Sequence, residues 1–215
     1  MHIGTPHFPK DPCIFRMISS GRLRSKATNT SHHIKSDKTT SHHYIASSYY
    51  TMASATSLPA VLSPTLTDRE AVADALYRFA NALDTDDGAL FDSAFVEDAT
   101  FTVNGRTTQG LKAIHSDIFD LIAKRDTTHF VTNIRINMDG KRAKLTASTL
   151  AQHYRGGKGL EPDQTSLLTG VLYWVDLVKV GELWKVETMQ VKPAWAEGDW
   201  DVMGGLPGPM ETGAS

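Results

Sequence analysis

Two residues that lie far apart in the sequence are of the types that acid–base catalysis uses. His129 begins an alternating segment, THFVTN (128–133), and Asp84 lies where a helical segment ends, in ALDTDD (82–87). Free imidazole has a pKa of about 6.5, so a histidine can take up and release a proton near neutral pH. A neighbouring carboxylate would orient the ring and stabilise the imidazolium that forms. The alternative is that Asp84 only solvates the helix–loop junction, as Asp86 and Asp87 do.

Other polar side chains could protonate or bind a substrate. His153, in AQHYR (151–155), alternates with Ala151 on a strand expected to pair with that of His129, which makes it a candidate second proton donor. It could equally be a hydrogen-bonded histidine near a strand end. The phenol of Tyr173 could donate to a substrate oxygen, or the residue could belong to the core. The remaining candidates for substrate contact are Tyr77, Asn133, Thr169 and Trp195.

Other chemistries find little support in the sequence. It contains no P-loop, no G-x-S-x-G serine motif and no H-E-x-x-H zinc motif. The glycine-rich RGGKG (155–159) joins two predicted strands, so it lacks the helix that a phosphate site needs. Cys13 is the only cysteine. We therefore expect a reaction without metal or cofactor.

Charge and hydropathy exclude two further classes. The net charge of the 215-residue chain is -2, and no basic stripe occurs in the periodic region, which disfavours nucleic-acid binding. No run of about 18 apolar residues is present, so no membrane-spanning helix is expected. These features predict a cytoplasmic protein whose partner is a small-molecule substrate.

The chain divides into three parts. Residues 1–63 are rich in Ser, Thr, His, Lys and Arg and lack periodicity, which predicts a disordered segment or a translation start placed too early, with Met52 as the true start. A transit peptide is a further alternative. If residues 1–63 are disordered, the paired histidines at 32–33 and 42–43 have no fixed geometry for binding a metal. Residues 64–203 should form the domain, and residues 204–215 a flexible tail.

The domain begins with helical patterns. Thr67 and Glu70 form a capping box, and apolar residues follow at helical spacing: Val72, Leu76, Phe79 and Leu83. A second short helix is expected within 86–99, and a third over 111–123. Between them Asn104–Gly105 predicts a hairpin turn.

The second half of the domain has the period of strands. Two long hairpins are expected, with turns at Asp139–Gly140 and Gly181–Glu182. Strict alternation would place His129, Val131 and Asn133 on one face of the first strand. Helices followed by strands indicate an α+β fold, here a strongly curved mixed or antiparallel sheet packed on three N-terminal helices around a cone-shaped hydrophobic pocket.

These segments resemble a known family. Residues 66–203 are similar to the SnoaL-like domains of the nuclear-transport-factor-two-like superfamily, and especially to its scytalone-dehydratase-like members. The resemblance rests on four segments: ANALDTDD, THFVTN, AQHYR and LWKVETMQVKPAWAEGDWD. It implies that Asp84 and His129 form the acid–base pair of a hydrophobic pocket, and that a second pocket histidine falls near Gln152 or His153. It also implies a homodimer, which the aromatic-rich final hairpin favours.

The sequence departs from the dehydratase pattern at three positions. Leu83 stands where the dehydratase has a tyrosine, and Val171 and Tyr173 fall where it has a serine and an asparagine. Because these changes alter how substrate hydroxyls would be held, the substrate should differ from scytalone.

The resulting hypothesis is a cofactor-independent lyase or isomerase that acts on an alicyclic, polyketide- or terpenoid-derived intermediate of secondary metabolism. His129 would move the proton, Asp84 would orient it, and His153 or Tyr173 would protonate a leaving oxygen or stabilise an enolate. One alternative is a non-catalytic small-molecule-binding or scaffolding module of the same fold. Another is an epoxide hydrolase, for which Arg135 and Asp176 offer no convincing arrangement.

Overall fold

The computed structural model describes residues 57–204. The predictions for residues 1–56, including Cys13 and both histidine pairs, and for residues 205–215 lie outside this range. Three helical segments come first: α1 (Asp68–Thr85), α2 (Gly88–Ser93) and α3, which consists of α-helix Leu111–Ile114, π-helix His115–Phe119 and α-helix Asp120–Ile122. The strands are β1 (Phe95–Val103), β2 (Arg106–Gln109), β3 (Asp126–Asp139), β4 (Arg142–Tyr154), β5 (Ser166–Val180) and β6 (Leu183–Gly198), and a 3-10 helix (Trp200–Met203) ends the described chain.

Helix α1 forms as its sequence predicts. The Thr67 hydroxyl accepts from the Glu70 backbone N–H, and the Glu70 carboxylate accepts from the Thr67 N–H at 2.8 Å, which completes the capping box. The helix ends where Asp86 takes a left-handed conformation with φ of 54°. Its apolar stripe is buried against the sheet, and Asp84 lies in its last turn.

The strands form one curved, open, mixed sheet in the order β2-β1-β6-β5-β4-β3. Strand β1 pairs with β6 in parallel, and all other neighbours are antiparallel. The helices pack on the inner face of this sheet, and the core lies between the two layers. The α+β prediction is therefore confirmed, and the two edge strands are β2 and β3.

The second helix is shorter than predicted. It ends at Ser93, and the residues from Phe95 onward form the start of β1 rather than helix. Phe95 pairs with Val186 of β6, and its fully buried ring lies 5.1 Å from that of Phe91. Pairing with β6 and burial of the ring outweigh the local helical pattern.

Strict alternation fails in the middle of β3. The pairing with β4 shifts between Thr132 and Arg135, and Asn133 has a positive φ of 54°, as expected for a β-bulge. One extra residue reverses the face on which later side chains lie. Consequently Ile134 and Ile136 point toward the core, contrary to the predicted pattern.

No helix of the described chain has both the length and the apolar character needed to cross a membrane.

Candidate active site

The Asp84 carboxylate and the His129 ring are directly bonded. His129 Nδ1 lies 2.6 Å from Asp84 Oδ1, and the backbone N–H of His129 donates to Oδ2 at 2.8 Å. Thr127, two residues earlier on the same face of β3, donates its hydroxyl to Oδ1 at 2.8 Å. A carboxylate cannot donate, so His129 donates through Nδ1 and its Nε2 is the nitrogen available to a substrate.

The carboxylate remains ionised in this partly buried position. Burial alone would raise the pKa of Asp84, but the bonds from His129 and Thr127 outweigh it, so the pKa lies below its ordinary value. The His129 side chain is only 5% exposed and that of Asp84 17%. The pair is therefore held rigidly and partly shielded from water, which strengthens its electrostatic interaction.

His153 is the second histidine of the site. Its ring lies perpendicular to that of His129, with 5.6 Å between the ring centroids. Its Nδ1 donates to the backbone carbonyl of Leu167 at 3.1 Å. Burial, with a contribution from the neighbouring His129, lowers the pKa of His153 to about 4. His153 is therefore neutral near neutral pH, with a lone pair on Nε2.

Both rings line a cavity of about 300 Å³ between the helices and the inner face of the sheet. Apolar side chains form most of its wall: Phe79, Leu83, Phe101, Val103, Ile118, Leu121, Ile122, Ala151, Leu167, Val171, Val191, Pro193, Trp200 and Met203. Such a cavity fits a small, largely hydrophobic molecule.

Two hydroxyl groups lie in the wall near the histidines. Thr169 and Tyr173, both on the inner face of β5, are buried and line the cavity. Burial raises the pKa of Tyr173 to about 12, with the Thr149 hydroxyl acting against that shift. The phenol therefore stays protonated and can donate a hydrogen bond to an oxygen in the cavity.

The structure places the predicted residues in two groups. Four of them come together at the cavity: Asp84, His129, His153 and Tyr173. The family resemblance placed a second pocket histidine near Gln152 or His153, and it is the side chain of His153 that lines the cavity. The other three do not line it: Tyr77, Asn133 and Trp195.

Each of these three has a physical reason for its position. Tyr77 is 43% exposed because it follows Leu76 on α1 by about 100° of helical rotation, away from the buried stripe. The bulge in β3 turns Asn133 outward. A second register shift, where Gly170 pairs with Trp195 but Val171 with Pro193, turns Trp195 to the outer face of the sheet.

Several residues of the site were missed by sequence reasoning. Thr127 could have been found, because it lies two residues before His129, and side chains two positions apart on a strand point to the same face. Arg106 and Asp117, which line another part of the cavity, carried no signal, since only the tertiary fold brings them there.

A second aspartate–histidine pair lies outside the cavity. His115 Nδ1 is 2.6 Å from Asp92 Oδ1, but these side chains are 29% and 44% exposed. The residues that the structure describes include no cluster of three or more His, Cys, Asp or Glu side chains able to hold a metal ion.

The fold is an α+β fold in which helices cover the inner face of a curved sheet around an apolar cavity. Residues 64–190 match the SnoaL-like domain, and the chain belongs to this family. It is 48% identical over 153 residues to the terrestric acid biosynthesis cluster protein E of Penicillium crustosum, which covers 70% of this chain and 98% of the relative.

Solved structures with the same fold are more distant in sequence. A candidate scytalone dehydratase from Novosphingobium aromaticivorans is 20% identical, with a TM-score of 0.54, over 61% of this chain and 87% of that one. A hexachlorocyclohexane dehydrochlorinase, LinA type 2, is 17% identical, with a TM-score of 0.51, over 61% and 88%. At these identities the likeness concerns the fold alone.

Proposed function

We propose that this protein is a cofactor-independent lyase or isomerase that acts by acid–base catalysis on a small alicyclic, polyketide- or terpenoid-derived intermediate of secondary metabolism. The observation that carries the proposal is the buried bond between His129 Nδ1 and Asp84, beside an apolar cavity that His129 lines. The relative from a terrestric acid biosynthesis cluster supports the metabolic setting.

The reaction begins with His129. Its Nε2 removes a proton from a substrate carbon next to a carbonyl, and the electron pair of the C–H bond moves to form an enolate. Asp84 stabilises the imidazolium, and the Tyr173 hydroxyl donates to the enolate oxygen. In an elimination, the C–O bond then breaks and the departing oxygen takes the proton from His129 as water leaves. In an isomerisation, the proton returns to a different carbon.

We assign His153 a role different from that of proton donor, which was predicted from the sequence. A histidine with a pKa of about 4 carries almost no proton to give at neutral pH. Its Nε2 lone pair accepts a hydrogen bond from a substrate hydroxyl, which orients that hydroxyl toward His129. Proton donation to the leaving oxygen then belongs to His129 or Tyr173.

The experiment starts from the natural substrate pool. Deletion of the gene in its host should cause one intermediate to accumulate, and the purified wild-type protein should convert that compound without added metal or cofactor. In D₂O, reversal of the deprotonation should place deuterium on the carbon that His129 deprotonates in the recovered substrate, and an isomerisation should place it on the reprotonated carbon of the product. A protein that binds the compound but neither converts it nor exchanges its protons is a binding module, and the enzymatic proposal fails.

We further propose that the protein is a homodimer that associates through the outer face of the sheet. Four consecutive strands present an apolar row there, because Phe130 pairs with Leu150, Leu150 with Gly170, and Gly170 with Trp195. Phe130 is 56% exposed and Trp195 51%. A contiguous exposed apolar patch of this kind is typical of a protein interface.

Sedimentation equilibrium of the full chain tests the dimer. The wild type should sediment as a dimer, and Phe130→Glu should shift it to monomer because it places a charge in the apolar row. Leu160→Glu is the matched control, since Leu160 is fully exposed in the loop between β4 and β5. A wild-type monomer at micromolar concentration contradicts the proposal.

A further inference from the structure

The cavity has a second polar region that the acid–base mechanism does not use. Asn104, Arg106 and Thr108, on the β1–β2 hairpin, line the cavity together with Asp117 of α3. The hairpin lies at one edge of the sheet, which ends with β2, whereas His129 lies on β3 at the other edge. A molecule that contacts both regions must extend across the cavity.

Arg106 lines the cavity but is exposed to solvent, and it differs from the buried Arg78 and from Arg125 in having no protein acceptor. Arg78 bonds to Asp74 and to backbone carbonyls, and Arg125 bonds to the carbonyls of Val202 and Met203. Within residues 57–204, the guanidinium of Arg106 has neither a hydrogen bond nor an ion pair. Because Arg106 is exposed, water can solvate its guanidinium, which leaves it free to pair with an anionic group that enters the cavity.

The carboxylate in the same region is already engaged. Asp117 accepts from the hydroxyls of Thr108 at 3.2 Å and Ser116 at 3.4 Å. It forms no ion pair with Arg106 among the described side chains. The guanidinium therefore remains available to a ligand.

The backbone holds Arg106 in a defined position. It directly follows the two-residue turn Asn104–Gly105, whose φ angles of 51° and 77° fit the tight hairpin turn that Asn-Gly favours. Arg106 pairs with Val103, and the hydroxyls of Thr102 and Thr107 bond across the hairpin at 2.9 Å. Because the hairpin is short and hydrogen-bonded, the backbone of Arg106 has a fixed position. This limits where its guanidinium can lie and favours directional binding.

We propose that Arg106 binds an anionic group of the substrate in which two oxygens share the charge, as in a carboxylate. The inference rests on the proposed function and names its substrate class: an acid whose charged oxygens lie at the hairpin while its reacting carbon lies at His129. The planar guanidinium matches such a group with two parallel hydrogen bonds. The apolar wall between the two regions holds the hydrocarbon skeleton.

The test uses two probes of nearly the same shape, 2-naphthoate and its amide, 2-naphthamide, of which only the first carries a charge. Isothermal titration calorimetry of the full chain at low ionic strength should show roughly two- to five-fold tighter binding of the carboxylate, the range expected for a partly exposed charge pair. The preference should shrink as salt is added. A wild-type protein that binds neither probe, or binds both equally, overturns the proposal.

Variants assign the preference to one residue. Arg106→Gln should abolish the preference for 2-naphthoate over 2-naphthamide, and Arg106→Lys should retain part of that preference. The matched control is Arg135→Gln, because Arg135 is an exposed arginine on a strand and does not line the cavity. An Arg106→Gln protein that still prefers the carboxylate refutes the assignment.

A further variant separates this inference from the catalytic proposal. His129→Ala should lose turnover but keep the preference for 2-naphthoate, because the anion is bound by the opposite edge of the sheet. Loss of the preference in His129→Ala, with the fold intact by circular dichroism, would place the anion at the histidine instead and contradict the role of Arg106.

Discussion

The rings of His129 and His153 are perpendicular, with 5.6 Å between their centroids, yet the two histidines have opposite electrostatic surroundings. His129 is bonded to an ionised carboxylate, whereas His153 is bonded to a neutral backbone carbonyl and has its pKa lowered to about 4. A positive charge is thus disfavoured on His153, whereas a proton taken up by His129 would lie next to the Asp84 carboxylate. We therefore assign the two histidines different parts in proton transfer.

The first prediction concerns His129. His129→Ala should lower kcat on the natural substrate by about 10²- to 10⁴-fold, because general acid–base assistance contributes that much. Steady-state kinetics measure the change. His115→Ala provides the control, since it removes the other histidine that lies 2.6 Å from an aspartate, outside the cavity, and should leave kcat within about two-fold of wild type. Equal losses in both variants would indicate a structural effect and not catalysis.

The second prediction concerns the Asp84 carboxylate. Both oxygens accept hydrogen bonds, from His129 Nδ1 and Thr127 at one and from the His129 backbone at the other. Asp84→Asn replaces one acceptor with a donor, so at least one N–H or O–H loses its partner. Urea denaturation should show a loss of about 1–3 kcal/mol in the free energy of unfolding, and kcat should fall as well.

The control for this prediction is Asp92→Asn in the more exposed pair. Water can replace the lost partner there, so the free energy of unfolding should change by less than about 0.5 kcal/mol. If Asp84→Asn is as stable and as active as the wild type, the carboxylate neither orients nor stabilises His129.

The local elements could be predicted from the sequence because their determinants are local or periodic. The capping box of Thr67 and Glu70 fixes the start of α1, and the apolar stripe fixes which of its faces is buried. Asn104–Gly105 specifies its own turn. Asp84 and His129 were paired through the resemblance of their surrounding segments to a known family, since no spacing rule links residues so distant in sequence.

The incorrect placements have a common physical cause. Asn133 was assigned to the cavity by alternation and Trp195 was named as a candidate substrate contact, but each lies at a register shift, in β3 and in β6 respectively. A single extra residue sends a side chain to the other face of the sheet. The β3 bulge contains no glycine that would mark it, whereas the β6 shift is flanked by Pro193, a residue found in strands mainly at edges and bulges. Arg106 was missed because its importance depends on which partners it lacks, and only the folded structure shows this.

The third prediction concerns the pH dependence of stability. The pKa of His153 is about 4 in the folded protein and about 6.5 in the unfolded chain, so the unfolded chain binds more protons between these values. Neutral His153 stabilises the fold fully above about pH 6.5, and this contribution is lost as the pH falls toward 4. Over that window it amounts to about 3 kcal/mol.

The variant for this prediction is His153→Gln, which keeps an N–H donor for the Leu167 carbonyl but does not titrate. Its stability should fall less than that of the wild type between pH 6.5 and 4, as measured by urea denaturation at several pH values. Parallel curves for the wild type and His153→Gln would show that His153 titrates normally.

The last prediction uses the contact between Gly170 and Trp195 on the outer face of the sheet. A Cβ at position 170 would lie 2.2 Å from the Trp195 indole, closer than atoms can approach, so Gly170→Ala must displace that ring. We expect a loss of about 1 kcal/mol in the free energy of unfolding. In a Trp195→Ala background the same change removes no contact and reduces the freedom of the unfolded chain, so it should be neutral or stabilising by up to about 1 kcal/mol. Urea denaturation of the four proteins in this double-mutant cycle measures the coupling. The same cost in both backgrounds would mean that the indole does not occupy the space above Gly170.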